Sequence, residues 1–427
     1  MIENRPRHPG GGRAPLPRTR RTTQLARYVL IISGLGAVAC SGPAEEERPL
    51  VTERDSAGIT IVENVDPVAA PLWTVSAEPL WVRGGMDAPE EEQLYLVSGG
   101  TRLSDGRVVV TNAGSREVRV LAPDGSPLAS HGGEGDGPGE FRTVELEGVL
   151  PGDTLLVWDQ TLQRMSLVHP DGGVARTYPV AWTGEGFPAA RGALADGSLV
   201  IGGGMSFSSE EGFPTGVIRP RSTFGWVRPD GEEVHLVDLP AAEMYARASD
   251  AGFMARGLPF ARFATAASAP DGVWLGDNES FEVRFFAQDG RLARVVRAAA
   301  PPRPVTEADI EAHIQQELDE EGADENRQRE LRSLIREMPV PEVMPPYQGL
   351  LVDTQGALWV EVYSPPGDGT EGGLWTVFDA QGHLQSRVRT PPRTRLLEVG
   401  PDYILATTRD EFDVESLTMW SLDRSPM

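Results

Sequence analysis

Two glutamates, Glu145 and Glu147, are separated by one residue in a stretch with the composition of a β-strand. Side chains alternate between the two faces of a strand, so both carboxylates are expected on the same face. If that strand lines a channel, the pair could supply two oxygen ligands to a metal ion. The alternative is a pair of solvated carboxylates, because no other segment provides a matching set of ligands.

A second candidate site is a long, loop-rich excursion, residues 205–263, in which arginines stand among aromatic residues. This combination is typical of the anchors of a binding interface, and it would form a positive patch on an acidic chain. The alternative is that the arginines pair with nearby carboxylates and only hold the excursion in place. The candidate ligand-binding residues are Arg219, Arg221, Arg247, Arg256, Phe260 and Arg262.

Several other chemistries lack the residues that they need. The chain contains no lysine, which excludes Schiff-base catalysis and a P-loop lysine. The five histidines after residue 39 show no metal-ligand spacing, and no Gly-x-Ser-x-Gly motif is present. The formal net charge of −24 argues against binding to nucleic acid. We therefore expect no cofactor, no metal site formed by histidines and no nucleic-acid partner.

The first forty residues have the pattern of an export signal. Basic residues from Arg18 to Arg27 precede an apolar run, residues 28–39, that is too short to span a bilayer. The run ends in Ala37-Val38-Ala39-Cys40, which resembles the lipobox of bacterial lipoproteins. The resemblance implies a signal peptide at 1–39, a lipid on Cys40 and anchoring in the cell envelope. Ser41 then favours the outer membrane.

Residues 40–54 are acidic and carry little apolar surface, so they are predicted to form a solvated tether. Cys40 is the only cysteine of the chain, which leaves none for a disulfide after lipidation. The lipid on Cys40 would attach the protein to the membrane.

The rest of the chain repeats a unit of short strands that are separated by Asp-Gly turns. Asp105-Gly106 and Asp124-Gly125 bracket the strands of one unit, and Asp271-Gly272 and Asp289-Gly290 bracket those of another. Six such units can be traced, and the plain ones are about 45 residues long. Four strands in a unit of this length are typical of a β-propeller blade.

Residues 130–141 contain His-Gly-Gly-Glu-Gly-Asp-Gly-Pro-Gly-Glu-Phe, which resembles the inter-blade signature of NHL-type propellers. The resemblance implies an all-β, six-bladed β-propeller over residues 55–427. Metal-dependent lactonases with six-bladed propellers bind a cation in the central channel through carboxylates and an asparagine. Only Glu145 and Glu147 have a comparable place here.

The first and last strands are predicted to close the ring, and two insertions interrupt it. Residues 72–83 would form the outer strand of the last unit and so remove exposed sheet edges, and residues 55–62 would add a strand to the same blade. Residues 306–338 predict a helical hairpin, because Thr306 and Asp309 form an N-capping pair and Gly322 interrupts the apolar pattern. The other insertion is residues 205–263.

The function favoured by these patterns is that of an exported, monomeric binding module for a protein, peptide or glycan. Long loops on one side of a rigid scaffold commonly form binding sites. Two alternatives remain open. One is a hydrolase or lyase with a site at the mouth of the channel, and the other is a structural partner in an envelope assembly.

Replacement of Cys40 by alanine is expected to abolish lipid attachment, because the thiol is the acceptor in the lipobox pattern. Mass spectrometry of the protein purified from membranes checks this, with Ser41→Ala as the matched control. An unmodified Cys40 in the native protein would contradict the prediction.

Overall fold

Glycine-containing turns join antiparallel strands throughout the structure. In the computed structural model, Gly106 and Gly125 adopt left-handed conformations with φ of 89° and 83°, where a side chain would be strained. The structure describes residues 51–425 except 90, 91, 185–187, 203, 205–213, 250, 251, 323 and 368–371. The predicted signal peptide, Cys40 and most of the predicted tether lie outside the described residues.

Four short strands precede the first repeated unit. They are β1 (Val51–Ser56), β2 (Ile59–Asn64), β3 (Leu72–Val75) and β4 (Trp81–Gly84). β1 and β2 form an antiparallel hairpin.

Two four-stranded antiparallel sheets follow in chain order. Sheet 1 contains β5 (Val97–Arg102), β6 (Val108–Asn112), β7 (Glu117–Leu121) and β8 (Pro127–Gly132). Sheet 2 contains β9 (Glu145–Leu150), β10 (Thr154–Asp159), β11 (Arg164–His169) and β12 (Gly173–Pro179). The first strand of each sheet is the inner strand, and β5 contacts β9.

The next segment forms two sheets. Its strands are β13 (Ala190–Ala193), β14 (Leu199–Ile201), β15 (Gly216–Ile218), β16 (Arg221–Val227), β17 (Glu233–Pro240), β18 (Met244–Ser249) and β19 (Gly252–Gly257). Sheet 3 has the order β13-β14-β16-β17, and β15-β18-β19 form a separate sheet, the accessory sheet. The excursion 205–263 therefore differs from the loop-rich segment expected from the sequence. Two of its strands, β16 and β17, belong to sheet 3, and the alternating run Phe224-Gly225-Trp226-Val227 lies in β16. The strands of the accessory sheet are the part that the sequence did not predict.

The second half of the chain contains three further groups of strands and two helices. Sheet 4 contains β20 (Thr265–Ala269), β21 (Gly272–Gly276), β22 (Glu282–Ala287) and β23 (Leu292–Ala298). The helices are α1 (Glu307–Glu321) and α2 (Glu325–Glu337). Sheet 5 contains β24 (Tyr347–Val352), β25 (Leu358–Val362), β26 (Leu374–Phe378) and β27 (Leu384–Arg389), and sheet 6 contains β28 (Thr394–Val399), β29 (Tyr403–Arg409) and β30 (Glu415–Asp423).

The two helices form the hairpin that the sequence pattern indicates. Thr306 caps α1 by accepting a hydrogen bond from the backbone N–H of Asp309, and the Asp309 side chain accepts from the Thr306 N–H in return. Gly322 ends α1 in a left-handed conformation. Ile314 and Leu331 are buried between the helices. Neither helix, nor any other in the described residues, is sufficiently long and apolar to cross a bilayer.

The hairpin β1–β2 lies on sheet 4, which corrects the expected position on the last blade. β2 pairs in parallel with β23, so the sheet has the order β1-β2-β23-β22-β21-β20. Parallel pairing between distant segments leaves no turn signal in the sequence, which explains the wrong assignment. The first strand also begins at Val51, so the end of the predicted tether 40–54 is ordered.

Buried apolar side chains join each sheet to the next. Val109 of sheet 1 and Leu155 of sheet 2 belong to one cluster, and Leu405 of sheet 6 and Val110 of sheet 1 belong to another. Further clusters join sheets 2 and 3, 3 and 4, 4 and 5, and 5 and 6. Burial of one such side chain contributes roughly 1.5–3 kcal/mol. The contacts between sheets are therefore the main source of stability.

Segments from the two ends of the described chain meet at sheets 5 and 6. β4 pairs antiparallel with β30, and β3 lies between β27 and the end of β30. Arg424 follows β30 and its Nη2 donates to Asp353 Oδ2 at 2.8 Å. The guanidinium lies 4.8 Å from the ring centroid of Trp73, and Trp359 Nε1 donates to the same carboxylate oxygen at 3.0 Å. One cation thus joins β3 to sheet 5.

Replacement of Arg424 by alanine is expected to lower the free energy of unfolding by roughly 3 kcal/mol, because it leaves the Asp353 carboxylate buried without its cation. Urea unfolding followed by tryptophan fluorescence measures the change. Arg291→Ala is the control, since that arginine is exposed and pairs with Asp289 at a turn. Equal stability of the Arg424 and Arg291 variants would contradict the expectation.

Candidate functional site

The alternation of strand direction divides the structure into two faces. Each inner strand begins at one face and ends at the opposite face, where the Asp-Gly turns lie. The accessory sheet follows β14 and β17, the helical hairpin follows β23, and residues 363–367 follow β25. All of these strands end where the inner strands begin. The insertions therefore share one face with the start of the inner strands, and we call it the insertion face.

The arginines predicted from the sequence lie on this face, and each has a protein partner. Arg219 Nη1 lies 2.5 Å from Glu279 Oε1, and Arg262 Nη2 lies 2.5 Å from Glu243 Oε1. The guanidinium of Arg221, on β16, donates to the backbone oxygen of Asp238 at 2.8 Å.

Two further members of this set reach the helical hairpin from the accessory sheet. Arg247 pairs with Glu337 of α2 at 3.2 Å, and Arg256 pairs with Glu317 of α1. Phe260 is 3% exposed, and its ring centroid lies 5.5 Å from that of His313 on α1. The set does not converge on one cavity. Its contacts join the accessory sheet to the hairpin and to sheet 4, as the alternative interpretation of the sequence described.

The carboxylates of Glu145 and Glu147 are on the inner strand β9, near the insertion face. Glu147 Oε2 accepts a hydrogen bond from the backbone N–H of Gly192 at 2.7 Å. Burial raises the pKa of Glu147 to about 7, and the neighbouring Glu145 charge raises it further against the opposing effects of Gly192 and Arg191. Burial also raises the pKa of Glu145. One carboxyl group here can therefore exchange a proton near neutral pH.

Arg191 of β13 is the cation of this group, and its Nε donates to the backbone oxygen of Gly202 at 3.1 Å. Its side chain is exposed to solvent, yet enclosure by protein lowers its pKa against the effects of Glu147 and Glu145. A side chain that water reaches but that protein surrounds is expected in a water-filled channel. Among the described residues, no group of three or more His, Cys, Asp or Glu is placed to hold a metal ion.

A second polar group, missed by the sequence analysis, lies at the same face between sheets 5 and 6. It surrounds a cavity of about 370 Å³. Five polar side chains of this wall form what we call the mouth cluster. They are the three cations Arg393, Arg395 and Arg409, together with Gln348 and Glu361. The spacing of Arg393 and Arg395 at the start of an inner strand was the available signal. No sequence pattern linked Glu361 to Arg409, because they lie near the ends of two different strands.

The charges of the mouth cluster are only partly balanced. Burial lowers the pKa of Arg395, Glu415 opposes that change, and Arg409 lowers the pKa further. The guanidinium of Arg395 donates to the backbone oxygen of Val97. Arg393 Nη1 lies 3.7 Å from Asp413 Oδ1. Within the described part of the chain, the Arg409 side chain has no hydrogen bond or ion pair. Two neighbouring cations that repel each other favour an anion between them.

The Glu361 carboxyl group forms the opposite wall of the cavity. Burial raises its pKa, and a hydrogen bond from the Gln348 side chain opposes the change. Its carboxylate lies close to the backbone of β24, since a Cβ at Gly349 would be 2.8 Å from Glu361 Oε2. A neutral Glu361 could donate a hydrogen bond to the same anion that the arginines attract.

The fold defines the class of protein as a β-propeller. No model of a protein family matches the chain, and no curated protein matches it. Among solved structures, it is similar to a Bacteroides fragilis protein named as exported, with 9% identity, a TM-score of 0.47, and coverage of 84% of this chain and 99% of that one.

Two other similar structures have enzyme or metal-binding names. One is a gluconolactonase from Xanthomonas campestris, with 15% identity, a TM-score of 0.39, and coverage of 83% and 96% of the two chains. The other is the calcium-binding protein regucalcin from Agrobacterium tumefaciens, with 13% identity, a TM-score of 0.40, and coverage of 83% and 97%. At this level of similarity, none of the three assigns a function to this chain.

The stability of the protein is expected to fall as pH rises from about 4.5 to about 7, owing to Glu147. In this window the folded state retains a proton that the unfolded chain has released, so each rise in pH favours unfolding. Glu147→Gln removes this contribution. Across this pH window, the free energy of unfolding of the variant should therefore change less than that of the native protein, by roughly 1–3 kcal/mol.

Urea unfolding at pH 5 and pH 7.5 measures this difference. Glu330→Gln, on the exposed side of α2, is the control. A Glu147→Gln profile parallel to that of the native protein would show that Glu147 does not take up a proton on folding.

Proposed function

We propose that the protein is an exported, lipid-anchored, six-bladed β-propeller that acts as a binding module for a protein, peptide or glycan. Sheets 1 to 6 supply the blades in this proposal, and β4 completes the sixth. The apolar clusters between consecutive sheets support a closed ring, because one of them links sheet 6 to sheet 1. The pairing of β4 with β30 supports closure by an N-terminal strand.

The proposed location is the bacterial cell envelope, with the lipid on Cys40 and the propeller outside the cytoplasm. The sequence Ala37-Val38-Ala39-Cys40 after a short apolar run supports it. Ser41 supports the outer membrane.

The observation that carries the proposed binding function is the position of the mouth cluster on the insertion face. Sheets 5 and 6 present a cavity whose wall has three arginines, a glutamine and a half-buried carboxyl group. The chain as a whole has a formal net charge of −24, so this local excess of cations is unusual for its surface. A carboxylate of a peptide or an acidic sugar has the charge and size to fit it.

Arg409 is the residue best placed to recognise such a ligand. The other two arginines of the mouth cluster have backbone or carboxylate partners, whereas Arg409 is exposed and has none within the described residues. The arginines predicted from the sequence supply the scaffold in this proposal, because their charges are paired.

A hydrolase or lyase is the second candidate, and the carboxyl group of Glu147 favours it. A general acid or base works best when its pKa is near the ambient pH, and the pKa of Glu147 is raised to about 7. Arg191 lies beside it in the channel and could stabilise a developing negative charge. Turnover of a lactone or glycoside that is lost in Glu147→Gln, with folding intact, would favour this function over simple binding.

Replacement of Arg409 by alanine is expected to weaken binding of an Asp/Glu-rich peptide or of oligogalacturonate about tenfold, because one charge-assisted hydrogen bond is lost. Fluorescence anisotropy with labelled ligands measures the affinity of the full-length protein. Arg291→Ala is the control for the change in net charge. Equal affinities of the Arg409 and Arg291 variants, or no binding of either acidic ligand, would contradict the proposed site.

A further inference from the structure

The largest of the cavities described here lies away from the channel, between sheets 4 and 5. Its volume is about 590 Å³, within the range of ligand sites in proteins. The wall is formed mainly by proline, alanine and larger apolar side chains. Its larger apolar members are Val68, Phe281, Val343, Met344, Val362 and Leu374.

Apolar side chains remain in contact with water at the edge of this cavity. Val68 is 59% exposed and Val343 is 42% exposed. They come from segments far apart in the sequence, one after β2 and one after α2. Their exposure at one opening is the arrangement expected when an apolar ligand completes the surface.

One cation of the cavity wall, Arg387, has no ion-pair partner among the described residues. Arg387, on β27, is half-buried, and its Nε is buried without a hydrogen-bond partner among the described residues. Arg387 also forms no ion pair within that part of the chain. By contrast, Arg303, on the same wall, lies 3.3 Å from Asp309. A half-buried guanidinium without a counter-charge is costly, and a bound anion would relieve that cost.

Polar groups beside Arg387 add hydrogen-bonding capacity to the wall. Thr376 is the direct cross-strand neighbour of Arg387 and also lines the cavity. Tyr363 lines it as well, and burial raises the pKa of its hydroxyl to about 12, so it remains a donor at neutral pH. Glu279 also lines the cavity, and its carboxylate is paired with Arg219, whose Nη1 lies 2.5 Å from Glu279 Oε1. The cavity thus combines a largely apolar wall with one cation, Arg387, that has no ion pair among the described residues.

We propose that this cavity binds an amphipathic carboxylate, a small molecule with an aliphatic body and one anionic head. The aliphatic body contacts Phe281, Met344 and the prolines, and the carboxylate pairs with Arg387. The site is independent of the mouth cluster and of the function proposed for it. Its ligand differs from a peptide or glycan because most of the wall is apolar.

Three ten-carbon probes with different heads test this site in the full-length protein. They are decanoate, 1-decanol and decyltrimethylammonium, each used well below its micelle concentration. Isothermal titration calorimetry and thermal shift should give decanoate the highest affinity, 1-decanol a weaker one and the cation the weakest. No binding of decanoate, or equal binding of decanoate and decyltrimethylammonium, would overturn the proposal.

Variants of the wall test the role of each part. Arg387→Gln should weaken decanoate binding roughly tenfold and leave 1-decanol binding within about twofold, because only the charged contact is lost. Arg387→Lys keeps the charge and should retain more of the affinity. Arg291→Gln, at an exposed turn, is the control for net charge. Unchanged decanoate affinity in Arg387→Gln would overturn the assignment of the anion.

A second variant covers the case in which Arg387→Gln fails to fold. Ala300 is exposed at the cavity wall, so Ala300→Trp should fill the space without disturbing the core. Loss of both decanoate and 1-decanol binding in that variant supports the cavity as the site, and retention of both overturns it.

Discussion

The pairing of segments from the two ends of the described chain is the interaction on which sheets 5 and 6 depend. Sheets that pack only on their neighbours leave two exposed flanks unless the last sheet meets the first. Here the last sheet receives β4 from the N-terminal side, and Arg424 from the C-terminal side reaches Asp353, Trp73 and Trp359. Removing one partner of a buried ion pair strongly destabilises the folded state, because the other charge is left buried without compensation. The junction therefore couples the stability of sheets 5 and 6 to segments that are distant in sequence.

The alternating direction of the strands also explains why several polar groups lie on one face. Turns at the opposite face are short Asp-Gly turns that leave little room for variation, whereas the connections at the insertion face carry a sheet and a helical hairpin. Ion pairs such as Arg247 with Glu337 fix these additions to each other. The arginines that the sequence suggested as binding groups thus join the accessory sheet to the helical hairpin and to sheet 4, and the mouth cluster lines a separate cavity.

Local signals made much of the fold predictable. The Asp-Gly turns fixed the ends of the strands, and the Thr306 and Asp309 pair marked the start of α1. These features depend on residues within a few positions of each other. The placement of β2 on β23 could not be predicted in the same way, because parallel pairing across more than two hundred residues has no local signature. The strands of the accessory sheet were missed because they are short and lie among glycines and prolines.

The candidate sites were less predictable than the fold. The alternation of Glu145 and Glu147 did indicate one shared face, but the raised pKa of Glu147 depends on burial, which spacing alone does not reveal. Arg409 and Glu361 meet only through the packing of sheets 5 and 6. Likewise, Arg387 Nε has no hydrogen-bond partner within the part of the chain that the structure describes, and this depends on the surrounding wall and not on its neighbours in the sequence.

The chain enters β1 at one particular side of the structure. Val51 pairs with Asn64, and Asn64 lies beside Ala298 where β23 ends, so β1 starts at the rim of the insertion face. The polypeptide therefore arrives on the side that carries the accessory sheet and the helical hairpin, and the side of the Asp-Gly turns is left clear of it.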